Sequence, residues 1–75
     1  MARRLTAGQR EVLSRERVDG VCIRYVWVWL VNEVPVTRQV NALTKRGLMD
    51  ASYYRGGQAT ASVTDAGRIA LEYRP

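Results

Sequence analysis

Seventy-five residues leave room for one domain with a small core, because a chain of this length buries only about 60–65% of the surface its unfolded form exposes. Twelve basic against seven acidic side chains give a net charge of +5, which favours phosphate-bearing partners, and the absence of histidine removes the commonest general acid–base residue. The single cysteine, Cys22, closes no internal disulfide, and no paired Cys or His spacing suits a structural zinc.

The chain opens on Arg3 and Arg4 without a following apolar stretch, so this end does not read as a secretory signal. The first element is a helix capped by Thr6, with Gln9 completing a capping box and Val12 and Leu13 forming a narrow apolar stripe; it is expected to end near Arg17. Asp19-Gly20 then reads as a turn.

Val21 to Val31 supports two readings. Ile23, Trp27, Leu30 and Val34 recur at helical spacing, while the β-branched content argues for strand. The strand reading is favoured here, with Asn32-Glu33 in a turn and Pro35 ending the pairing; the helical reading makes Tyr25 to Glu33 the second helix of a helix-turn-helix. In either case the run is too short to span a bilayer and contains Arg24, so no membrane partner and a cytoplasmic location are expected.

From Thr37 to about Arg46 the pattern is that of a helix, with Thr37 as cap and Gly47 as the left-handed closing residue. On a helical wheel Val36, Val40, Leu43 and Gly47 fall on one side and Arg38, Asn41, Ala42 and Lys45 on the other. Met49 to Tyr54 and Ala59 to Val63 read as a hairpin around Gly56-Gly57, which pairs Tyr54 with Ala59 and Tyr53 with Thr60. Thr64 caps a last short helix, with Asp65 complementing its dipole and Ala66, Ile69, Ala70 and Tyr73 as the inward stripe.

This order predicts a single α+β domain over residues 1–75, a winged helix-turn-helix. Its parts are a three-helix core, a C-terminal β-hairpin wing at 53–58 and an extra strand or hairpin at 21–31. Three stretches also resemble the MarR-like winged-helix regulators. Val36-Thr37-Arg38-Gln39-Val40-Asn41-Ala42-Leu43-Thr44-Lys45-Arg46-Gly47-Leu48 is similar to their recognition helix, Val63-Thr64-Asp65-Ala66-Gly67-Arg68 to the entry of the following helix, and Leu5-Thr6-Ala7-Gly8-Gln9 to their opening. Together these cover roughly half the chain and suggest a trimmed relative of small phage or actinobacterial type. The chain has barely two turns after Thr64, so the long terminal helices through which that family dimerises are not implied, and a homodimer is left open.

The resemblance implies a small transcriptional regulator that binds double-stranded DNA. Arg38 and Asn41 are then the candidates for base edges, arginine for guanine and asparagine for adenine. Gln39, Lys45 and Arg46 are expected on phosphates, and Thr37 caps the helix, touches phosphate, or both. Arg55 at the hairpin tip is placed on backbone or in a minor groove, and Arg3 and Arg4 form a basic arm. Trp27, Trp29, Tyr25, Tyr53 and Tyr54 invite a base-stacking reading, but without phenylalanine these rings must fill the core; Trp27 is expected buried, and an exposed Trp29 would mark a partner patch. No catalytic residues, cofactor, metal or small-molecule substrate are indicated, because Cys22 has no histidine partner, the carboxylates form no pair and no phosphate-cradling glycine motif is present. Two other readings compete: an adaptor that docks proteins through the apolar segment 21–30, and an RNA or single-strand binder that uses the hairpin tyrosines.

Overall fold

A computed structural model describes residues 5–72, and in it every junction between helix and sheet lies at one end of the sheet. The elements run α1 (Ala7–Ser14), β1 (Arg17–Ile23), β2 (Val26–Val31), β3 (Val34–Pro35), α2 (Thr37–Lys45), β4 (Met49–Tyr54), β5 (Gln58–Val63) and α3 (Asp65–Glu72). The strands form one antiparallel sheet in the order β3-β2-β1-β5-β4.

This arrangement overturns the winged-helix expectation. Val21 to Val31 is neither a helix nor a lone strand: Arg24 and Tyr25 turn the chain, so that Ile23 faces Val26 and Asp19 faces Leu30. Of the readings open for this segment the hairpin is the one found, so Tyr25 to Glu33 does not form the second helix of a helix-turn-helix. The hairpin at 49–63 is not a C-terminal wing either. Its second strand, β5, pairs along β1 from Arg17↔Ser62 to Val21↔Gln58 and so completes a five-stranded sheet, after which α3 follows.

The helices cover one face of the sheet. That face carries Val18, Trp29, Ala59, Ala61 and Val63, which close with Val12, Leu13, Val40, Leu43, Leu48 and Met49 into the buried core. Asp19-Gly20 is therefore not a turn but the middle of β1. Gly20 sits opposite Trp29, and a methyl group there would come within 2.7 Å of the indole, so glycine is what lets the ring lie across the strand. The expectation of a buried Trp27 is corrected, and Trp29 marks no exposed partner patch. Trp29 is buried in the core, while Trp27 is half-buried and packs on Tyr53 with ring centroids 4.9 Å apart.

Local signals place most helix ends. Thr6 and Gln9 form the capping box, each bonding the other's backbone N–H at 3.1 Å. The helix stops at Ser14 rather than near Arg17, because Glu16 adopts φ 65 and Arg17 already belongs to β1. At the other end Thr64 accepts from the Gly67 N–H at 3.1 Å and donates to the Gly47 carbonyl at 2.8 Å, so one hydroxyl caps α3 and ties it to the end of α2.

Two further details differ from expectation. Tyr54 pairs with Gln58 and Tyr53 with Ala59, one residue off the expected register. The loop holds three residues, with Gly56 (φ 88) and Gly57 (φ 76) both left-handed. In α3 the buried residue is Gly67, with Ala70 and Leu71 packed on the core; Ala66 and Ile69 face outward, and Tyr73 lies outside the described residues. None of the described helices is long and apolar enough to cross a membrane.

Candidate nucleic-acid interface

The nine residues of α2 divide cleanly by face. Val40 and Leu43 are wholly buried, whereas Arg38, Asn41 and Lys45 are exposed on the outward side. A spacing of three and then four residues keeps those three polar groups in one row. Gly47 follows with φ 77, and Leu48 closes the turn by donating its N–H to the Leu43 carbonyl at 2.9 Å.

Not every expected member of the site stands on that row. Thr37 is half-buried and does not cap: the N-cap is Val36, which makes no side-chain cap hydrogen bond. The Thr37 hydroxyl oxygen instead accepts from the Trp29 N–H at 3.0 Å, and Val36 N–H donates to the Trp29 carbonyl at 2.7 Å, so the start of α2 is fastened to β2. Gln39 is turned toward α1, where a methyl on Gly8 would come within 3.2 Å of its Nε2. Arg46 is the exposed C-cap residue, its N–H bonded to the Ala42 carbonyl at 3.2 Å. Arg55 is exposed at the β4–β5 tip, away from α2, and Arg3 and Arg4 lie outside the described residues.

Charge is distributed unevenly over this scaffold. Arg15 pairs with Glu11, Arg17 with Asp19 and Arg68 with Asp65, at 3.5–3.8 Å, all on exposed surface and off the outward face of α2. Such pairs contribute little stability, but they locally neutralise the surface around α1, β1 and α3. Arg38, Lys45, Arg24 and Arg55 have no carboxylate within 4.0 Å among the described residues. Among the described residues, cations without a carboxylate partner thus stand on α2 and at the two hairpin tips, and also at Arg10 of α1, whose guanidinium donates to the Leu71 carbonyl.

Arg24 did not enter the candidate site read from the sequence, and Tyr25 entered only as one of the rings open to base stacking. Their signal is the cation that breaks an otherwise apolar run: between two β-branched stretches, an Arg-Tyr pair marks the place where a hairpin turns. The face of the sheet away from the helices carries a different surface. Ile23 and Val26 are exposed there, beside half-buried Val21, Val28 and Leu30. Toward β4 it becomes polar, with a depression of about 620 Å³ bordered by Arg17, Asp19, Tyr54, Gln58 and Thr60.

Comparison with protein-family models, with curated proteins and with solved structures finds no match to this chain.

Proposed function

We propose that this protein binds double-stranded DNA by laying the outward face of α2 in the major groove, and that it acts in the cytoplasm as a small regulator of transcription. The observation that carries the reading is the row Arg38, Asn41 and Lys45, its two cations without a carboxylate partner among the described residues, on a helix anchored from behind by Val40 and Leu43. The major groove, about 12 Å wide, admits a helix of this size.

Each residue has a distinct task in this reading. Arg38 offers a two-pronged donor to guanine O6 and N7, and Asn41 a donor and an acceptor to adenine. Lys45 and Arg46 lie farther along the helix and hold phosphates, which set register without reading sequence. Thr37 acts indirectly, since its bond to the Trp29 N–H fixes the angle at which the helix leaves the sheet. Gln39 has the same positioning role through its packing on Gly8.

A duplex-binding titration against salt tests the reading. Log affinity should fall linearly with log salt, by about 0.9 for each phosphate neutralised. Arg38→Ala should cost about 1–3 kcal/mol on the preferred sequence and relax base preference, whereas Lys45→Ala should weaken all duplexes alike and flatten the slope by about 0.9. Binding that ignores salt, or sequence preference unchanged in Arg38→Ala, would remove the proposed role of α2.

The bare apolar strip of Ile23, Val26 and Val28 favours a second reading, a protein-docking adaptor. Val28→Lys separates the two: it should leave duplex affinity unchanged if α2 is the working surface, and should abolish function if the strip is.

A further inference from the structure

The turn between β1 and β2 is built from residues poorly suited to it. Arg24 (φ 51) and Tyr25 (φ 69) both occupy the left-handed region, which in a two-residue hairpin loop is the type I′ turn that Asn-Gly fills without strain. Tyr25 is completely exposed, so no packing within the described fold offsets the unfavourable backbone. The equivalent turn between β2 and β3 has Asn32 (φ 50) in its preferred place and only Glu33 (φ 67) off type. An arginine and a tyrosine are thus held in a strained turn that serves no internal contact, a pattern that accompanies functional surfaces.

The sheet sets this turn beside the other hairpin tip. Val21 pairs with Gln58, and the Cys22 N–H donates to the Gly57 carbonyl at 2.8 Å, which brings Arg24-Tyr25 alongside Arg55-Gly56-Gly57 at the sheet end remote from every helix junction. The molecule is elongated, 40 × 20 × 19 Å. Arg24 follows β1 and Arg55 follows β4, with β5 between them, so at about 4.8 Å per strand their backbones stand about 10 Å apart, and the two long side chains can reach the phosphates on either side of a minor groove about 6 Å wide. Trp29, to which the start of α2 is bonded, is four residues from Tyr25 along β2, or about 13 Å at strand spacing, comparable to the width of one major groove.

We infer that the paired tips form a second DNA contact, a phosphate clamp in which Arg24 and Arg55 grip the backbone bordering the minor groove next to the one occupied by α2, with Tyr25 against the sugar edge. The inference rests on the duplex-binding reading above and extends it to residues of a hairpin outside that helix. The chemistry is charge-assisted hydrogen bonding from guanidinium to phosphate, which is insensitive to base sequence.

The test is a turn replacement that improves the fold while removing the contact. Arg24→Asn with Tyr25→Gly installs the preferred pair, so melting temperature should rise by about 4–8 °C. The same protein should bind duplex several-fold more weakly, with a salt slope shallower by about 0.9 and sequence preference intact. Arg55→Ala should remove a further step of similar size. Glu33→Gly serves as control, since it relieves the other turn and should raise stability without weakening duplex binding or flattening its salt slope. A more stable double variant that binds with the wild-type affinity and slope would overturn the clamp while leaving the role of α2 standing. A wild-type protein that shows no salt-dependent duplex binding would overturn both.

Discussion

Trp29→Ala is expected to lower stability by about 3–5 kcal/mol, the range for removing a buried tryptophan. A domain of this length has only about 4–11 kcal/mol in total, so the variant should be largely unfolded near physiological temperature. The effect is large because Trp29 joins several parts of the molecule. Its ring, 2% exposed, covers Gly20 of the central strand and meets Tyr53 of β4 edge-on at 6.3 Å between centroids. Its backbone accepts from Val36 N–H and donates to Thr37, fastening α2 to the sheet. Circular dichroism melting checks this directly. A loss below about 1 kcal/mol would mean that the indole is not the centre of the core.

Gly67→Val is expected to cost about 3 kcal/mol or more, and Gly67→Ala supplies a test of sign. Alanine has the higher helix propensity by about 1 kcal/mol, so propensity alone predicts a gain. Packing predicts the reverse. A methyl group at Gly67 would press into the Leu48 carbonyl oxygen and lie 2.6 Å from a Val63 methyl. That carbonyl also receives the Thr64 N–H at 3.0 Å, so the helix cannot move off without disturbing its own first turn. Both variants should therefore melt below wild type. An alanine variant that melts higher would show that α3 is free to slide on the α2–β4 junction.

Gly67 also illustrates why the sequence was only partly readable. A hydrophobic stripe of Ala66, Ile69, Ala70 and Tyr73 was the natural inward face for the last helix, yet Ile69 is 66% exposed. Contact through a bare backbone leaves no apolar signature, so the true face was invisible to periodicity. Gly20 misled for a related reason. Beside Asp19 it resembles a turn, and only the indole lying across it from the next strand explains a glycine in the middle of β1.

The elements that were legible depend on local chemistry. The Thr6–Gln9 box, the left-handed Gly47 and the Thr64 cap each involve residues within a few positions of one another, and their signals survive without tertiary context. The architecture turned instead on the Arg24-Tyr25 turn, where neither residue is a usual turn former. A hairpin at 21–31 was one of the readings open, but without a recognisable turn its strands could not be joined to those at 49–63, and a winged helix was read into what is a five-stranded sheet.

The candidate site shows the same division. Arg38, Asn41 and Lys45 could be placed from the helical wheel, because Val40 and Leu43 fix which side faces inward. Thr37 and Gln39 could not, since their partners, Trp29 and Gly8, come from other elements. A helix wheel assigns faces, but it does not reveal which polar residues neighbouring elements have already engaged.

Whether α2 is the working surface can be read from amide chemical shifts mapped while a short DNA duplex is titrated in. With α2 in the groove, the perturbed amides should concentrate at 37–46, with a second cluster at 24–25 and 55–57. Perturbations confined to the opposite side of the sheet, around Val21, Val28 and Thr60, would contradict that placement of α2.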